Sequence, residues 1–157
     1  MNELIHTAAA ELARFLGDTL PRLSPEWWQK HVVDRLSYQQ QRIVSERAQT
    51  AFDQLDFAAL IRVLDQNWYE LAQLEGLPRE GRTWVKEMQT VRNKWAHLPP
   101  GTLSPSEVYR DADTLYRLLS MLHSDEQALA EVEKVKAAAL AKMSGIHPAD
   151  EGDAFPD

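Results

Sequence analysis

The chain contains no cysteine. That excludes a disulfide framework and any thiolate-held metal. Glycine is scarce, six in 157 residues, and no glycine-rich phosphate loop is formed, which argues against nucleotide hydrolysis by this chain itself. No apolar run approaches the roughly 18 residues that a membrane span needs. The start, Met1-Asn2-Glu3-Leu4, lacks the basic opening of a signal peptide. A cytoplasmic chain with no membrane partner is the expectation. No His-Glu-x-x-His pattern and no acidic cluster at metal spacing occurs, so neither a metal nor another cofactor is expected. There is also no β-hairpin signal and no internal repeat.

What is present is an acidic chain of ordinary globular composition, with a formal charge of −7 and 44% apolar residues. Its length suits one domain with a real core. The charge argues against general attraction to a polyanion, but it is unevenly spread. Between Arg79 and His97, five basic residues stand against Glu80 and Glu87, a local charge of +3. From Ser124 to Asp157, eight acids stand against three lysines.

Nearly every segment reads as helix. Leu4, Ile5, Ala8, Leu12, Phe15 and Leu16 recur at helical spacing up to about Leu20-Pro21. Ser24-Pro25 offers a cap and a first-turn proline for a second helix carrying Trp27, Trp28 and Val32. Ser37-x-x-Gln40 is a capping-box pattern for a third, through about Phe52. Asp56 opens a fourth, whose stripe is Phe57, Leu60, Ile61, Leu64, Trp68 and Leu71, ended by Gly76 and Pro78. A fifth runs from about Gly81 to His97 with the stripe Trp84, Val85, Met88, Val91 and Trp95, and Pro99-Pro100 forbids its continuation. Ser104-Pro105-Ser106-Glu107 opens a sixth, and Ser124-x-x-Gln127 a seventh that ends near Gly145. The tail from His147 is acidic and expected to be disordered. The fold class is all-α, an antiparallel helical bundle.

The stretch richest in chemistry is Arg92-Asn93-Lys94-Trp95-Ala96-His97. Cleaving RNA without a metal needs a proton acceptor for the ribose 2′-hydroxyl, a proton donor for the leaving 5′-oxygen, and cationic donors for the phosphorane. Histidine suits either proton transfer. Arginine's planar fork holds two phosphate oxygens and stays charged. The Asn93 amide can donate to phosphate or orient the imidazole. Lys86 and Lys94, in the same basic stretch, are candidate substrate contacts. Asn93 and His97 share a helix face with Lys86 and Thr90, but Arg92 lies about 140° round from His97. Two arrangements unite them: His97 turning with the loop, or a second copy of this helix across a two-fold axis. The apolar stripe beside Arg92 is a candidate contact for that second copy.

An arginine and a histidine five or six apart do not single this stretch out, because Arg117 and His123, six apart, form a second example. There the intervening leucines are core-like and a histidine at a helix C-terminus complements the dipole. Asp65-Gln66-Asn67 interrupts the fourth stripe and reads as a structural hydrogen-bond network or a lining of the site. Trp68, Trp84 and Trp95 fall on stripes and read as core. Trp27 and Trp28 are neighbours that cannot both face one core, which leaves one for a partner. The charges of the seventh helix read as a solvated face.

Arg92-Asn93-x-x-x-His97 at a helix end resembles the arginine, polar residue, three variable positions, histidine motif of the HEPN superfamily. The stretches Leu55–Leu60, Leu64–Trp68, Val85–Met88 and Asp111–Leu119 extend the likeness over roughly residues 55–122. They are similar to the subgroup found in a eukaryotic nuclear RNA endonuclease and near the N-termini of bacterial helicase-like and ATPase proteins, several linked to phage defence. No resemblance is assigned to residues 1–54. The division implied is an N-terminal helical segment over 1–54, a HEPN-like bundle over 55–145 and an acidic tail over 146–157. The resemblance implies a homodimer joined through the motif helix. It implies a metal-independent endoribonuclease with Arg92, Asn93 and His97 as catalytic residues, leaving a 2′,3′-cyclic phosphate. RNA, for instance tRNA or mRNA, is the expected substrate, in phage defence or a toxin system with an antitoxin. The alternative implied is a non-catalytic interaction module of a larger ATPase- or helicase-containing defence assembly.

Overall fold

The computed structural model describes residues 1–99 and 101–145. Seven α-helices carry the fold: α1 (Asn2–Thr19), α2 (Tyr38–Glu46), α3 (Phe57–Gln66), α4 (Trp68–Glu75), α5 (Gly81–His97), α6 (Pro105–Met121) and α7 (Glu126–Met143). No strand occurs among the described residues. The expected acidic tail over 146–157 lies outside them.

Several starts and stops follow from single residues. The Ser37 hydroxyl accepts the Gln40 N–H while the Gln40 side chain accepts the Ser37 N–H, a closed capping box. Asp56 accepts the Ala59 N–H at 2.9 Å. Ser104 caps α6 ahead of Pro105. Gly76 ends α4 at φ +65, where a Cβ would be strained.

Four local expectations change. The segment after Ser24-Pro25 is one π-helical turn, Trp28–Val32, followed by a 3-10 turn, Val33–Arg35. The wide turn sets both tryptophans on Phe52: Trp27 stacks on it at 5.6 Å, and Trp28 meets it edge-on at 5.4 Å. Both rings pack against the core and are partly buried. Second, α2 stops at Glu46, because Ala48 takes φ +50 and the Gln54 side chain accepts the Thr50 and Ala51 N–H groups. Phe52 therefore sits in a separate 3-10 turn, Phe52–Gln54. Third, the long stripe from Phe57 to Leu71 is cut at Asn67. Its buried amide donates to the Val63 and His31 carbonyls, each at 2.8 Å, and its Oδ1 faces His31 Nδ1 at 3.0 Å. Such side-chain bonding to the previous turn competes with helix continuation. Fourth, Ser124 does not cap α7. His123 at φ +54 ends α6, the Ser124 N–H turns back to the Leu119 carbonyl, and Asp125 stands at the N-cap with its N–H on Glu11.

The helices pack antiparallel in sequence. Gly81, the first residue of α5, lies against Met121, the last of α6; a Cβ there would also meet the Trp68 ring at 2.7 Å. Further along the pair, Thr114 donates to Glu87 at 2.9 Å. α7 returns along α6, and α1 meets α7 through Thr7 to Glu131 and the C-cap of α6 through Arg14, which donates to the Leu122 carbonyl. Leu12 and Leu16 of α1 share one buried core with Leu60, Leu64, Met88, Leu115 and Leu119.

Asp113 ties α6 to α7. Burial pushes its carboxyl up, but hydrogen bonds from Lys136 and Arg117 outweigh that and hold it below the usual aspartate value. Burial acts on Lys136 in the opposite sense, lowering it, and its bonds to Asp113 and Glu133 win, so it is raised. A lowered carboxylate adds stability above its unfolded value, and that stability is lost as pH falls through the lower native value. A raised lysine adds stability that is lost only as pH climbs past its ordinary value. Asp113→Asn should therefore cost stability at neutral pH and flatten the fall in urea midpoint below about pH 4. An unchanged acid slope would show that Asp113 is not one of the groups behind it.

Candidate active site

α5 positions every residue of the motif. Val85, Met88, Val91 and Trp95 are buried against the bundle, while Lys86, Thr90, Asn93 and His97 are exposed along the opposite face. The helix runs unbroken to His97. Leu98 leaves it in an extended conformation while its N–H still reaches the Lys94 carbonyl at 3.0 Å. His97 therefore does not turn with the loop, and the angular separation from Arg92 set by the helix persists.

Arg92 is partly buried, and Nη1 donates to Asn93 Oδ1 at 3.3 Å. With that oxygen engaged, the Asn93 amide N–H groups are the part left to donate outward. Among the described residues Arg92 has no carboxylate partner. It shares that state with Arg47, Arg62, Arg79 and Arg110, and differs in it from Arg117, which is paired with Asp113 at 3.0 Å, and from Arg14, Arg22, Arg35, Arg42 and Arg82, all paired with acids. The second Arg–His pair, in α6, is thereby separated from the motif by chemistry.

The two lysines are differently placed. Lys94 Nζ lies 2.6 Å from Asp111 and 3.9 Å from Glu107, on the α6 flank. Asp111 is nearly sealed, so Lys94 serves as its counter-ion. Lys86 Nζ is 3.0 Å from Asp65, whose carboxylate is 2% exposed and also faces Arg82 at 3.5 Å. Spacing gave no sign of either buried aspartate as a counter-ion. The only hint was Asp65 as a polar residue inside an apolar stripe. Gln66 is exposed and Asn67 belongs to the buried network with His31, so the polar triplet bridges helices. If the Lys94–Asp111 pair clamps the end of α5, Lys94→Met and Asp111→Asn should not add in urea denaturation. A double-mutant cycle should return a coupling of about 1 kcal/mol or more; strict additivity would show the pair does no joint work.

Most of the apolar stripe beside Arg92 is taken up within this chain. Val85, Met88, Val91 and Trp95 lie in its own core, none more than 6% exposed, and Trp84 packs against that core partly buried. What remains exposed near Arg92 is Ala96 and Leu98. A cleft of about 650 Å3 lies beyond the helix end, lined by Trp95, Leu98, Val108, Val135 and Lys142, and does not include Arg92, Asn93 or His97. Among the described residues no three His, Cys, Asp or Glu side chains converge as a metal site would require, and no helix is long and apolar enough to cross a membrane.

A helical bundle whose motif helix ends on an outward arginine–asparagine pair and an exposed histidine has the layout of a HEPN domain. The family model described as Swt1-like HEPN matches residues 4–123, and the chain belongs to that family. The match takes in residues 4–54, where sequence carried no resemblance, and stops just past α6. Neither the comparison with curated proteins nor that with solved structures gave a match.

Proposed function

We propose that this chain is a metal-independent endoribonuclease acting as a homodimer, with each site drawing Arg92 from one copy and His97 from the other. The observation that carries the reading is the state of Arg92. It is held beside Asn93, near the end of the motif helix, with no carboxylate partner among the described residues. An unpaired guanidinium in an acidic protein is suited to a phosphate. Its helical offset from His97 is what makes a second chain necessary. Ala96, exposed one turn beyond Arg92, is a candidate contact for that chain.

In the reaction the ribose 2′-oxygen attacks phosphorus as its proton leaves, and the P–O5′ bond breaks as that oxygen gains one. His97 serves proton transfer, Arg92 stabilises the phosphorane charge, and Asn93 donates to phosphate. The products are a 2′,3′-cyclic phosphate and a 5′-hydroxyl. Only a strand with a 2′-hydroxyl can react, so DNA is inert. Lys86 and Lys94 add positive potential from within their ion pairs. The setting is cytoplasmic phage defence or a toxin system. The test is labelled RNA incubated with the purified chain in EDTA. Cyclic-phosphate ends are expected; intact RNA at protein concentrations that give dimers would overturn the nuclease reading.

The net charge of −7 favours a second reading, a non-catalytic module docked in a larger ATPase- or helicase-containing assembly. Intact RNA in the same assay, with Arg92 required for partner binding, is its signature.

A further inference from the structure

The outward face of α5 carries no acid. Reading round the helix, Thr83, Lys86, Thr90, Asn93, Ala96 and His97 are exposed there. The one acid within α5, Glu87, lies on the α6 flank and accepts from Thr114. In a chain with 24 acidic residues, such a face is a departure that a solvated surface does not require. It extends from His97 to Arg82, roughly 22 Å at the rise of an α-helix.

At its far end stands Tyr69 of α4, 73% exposed. The ring is not loose. The Arg82 guanidinium lies 5.0 Å from its centroid, and Arg82 Nη1 donates to the phenolic oxygen at 2.9 Å. Arg82 is itself held toward the buried Asp65 carboxylate, which also holds Lys86. A sealed aspartate thus fixes two cations, and one of those fixes an exposed aromatic ring. The nearby acids Glu70 and Glu75 are taken up by Arg35 and Arg22, and the acid at the N-cap of α5, Glu80, stands exposed just before the track's far end.

We infer that this face is a binding track for single-stranded RNA, with Tyr69 as a preorganised stacking platform for a base on the order of four nucleotides from the scissile phosphate, the small end of single-strand site sizes. Lys86 and Arg82 contact the intervening phosphates, and Thr83, Thr90 and Asn93 donate to them. A duplex cannot use the platform, because its bases are stacked within the helix. The track deepens the nuclease reading by naming the substrate class, and it rests on that reading only for the position of the scissile bond.

The experiment uses a fluorescein-labelled, fully 2′-O-methylated RNA hexamer, which binds but cannot be cleaved, read by anisotropy with the full chain. Tyr69→Ala should weaken binding roughly 5- to 100-fold, while Tyr69→Trp, which keeps a stacking face, should restore it. Lys86→Met should lower the salt dependence by about one phosphate contact. A duplex of the same length should bind more weakly than the single strand. Wild-type affinity in Tyr69→Ala, or equal affinity for the duplex, would overturn the track. Because nothing is cleaved, binding through Tyr69 by a chain that fails to cut RNA would sink the nuclease and keep the track. Cleavage with a silent Tyr69 would do the reverse.

Discussion

Replacing His97 by alanine should reduce RNA cleavage in EDTA by at least ~100-fold, the lower range for a group in general acid–base catalysis. The fold should not notice. His97 is the last residue of α5, exposed, and makes no side-chain hydrogen bond among the described residues. The same thermal midpoint with a collapsed rate would place His97 in the chemistry rather than in the scaffold. Single-turnover rates of wild type and variant, at matched protein concentration, decide it. Equal rates would end the assignment. Buffer-catalysed scission and adventitious ribonuclease leave the same 2′,3′-cyclic ends, so the control is Arg92→Ala prepared in parallel, which should fall comparably through loss of charge stabilisation.

Mixing two dead variants should restore activity. In a two-fold dimer, each site takes Arg92 from one chain and His97 from the other. An Arg92→Ala chain paired with a His97→Ala chain then holds one site with both groups and one with neither. Random exchange of subunits makes half the dimers mixed, so a one-to-one mixture should recover roughly a quarter of wild-type activity. Either variant alone should stay at background. If both groups act within one chain, each mixed dimer lacks one of them at both sites and the mixture stays dead. The outcome does not depend on which residues form the interface, because the helix itself sets the premise: α5 is continuous through both residues, and on a single helix they diverge.

Much of the bundle was legible because local chemistry declared it. Ser37, Asp56 and Ser104 carry caps, Gly76 and Pro99 carry stops, and α5 begins and ends at the residues its sequence indicates. Where the reading failed, the deciding partner was remote. Asn67 breaks a stripe whose periodicity is uninterrupted, because its amide finds His31 in another element. Lys86 and Lys94 read as surface cations until Asp65 and Asp111 come up beside them. Periodicity also shows that a face is apolar without showing what covers it, so Val91 and Trp95 read equally as core and as contact with a second copy. Residues 4–54 belong to the matched family, yet their signal is amphipathicity alone, which many helices share. The catalytic candidates were legible for the opposite reason: they are close in sequence and exposed, so nothing tertiary had to be guessed.

Gly81 has a consequence for control. At the start of α5 there is no room for a single methyl between Trp68 and Met121, and at the far end Lys94 is fastened to Asp111. A helix gripped at both ends can neither slide nor roll without dismantling its neighbours. The motif therefore has no internal off position. In a site shared between copies, the quantity left to vary is how many copies meet, and activity becomes a matter of mass action. If the proposed shared site forms, keeping the chain scarce or covering its contact surface would silence it, and raising its local concentration would release it.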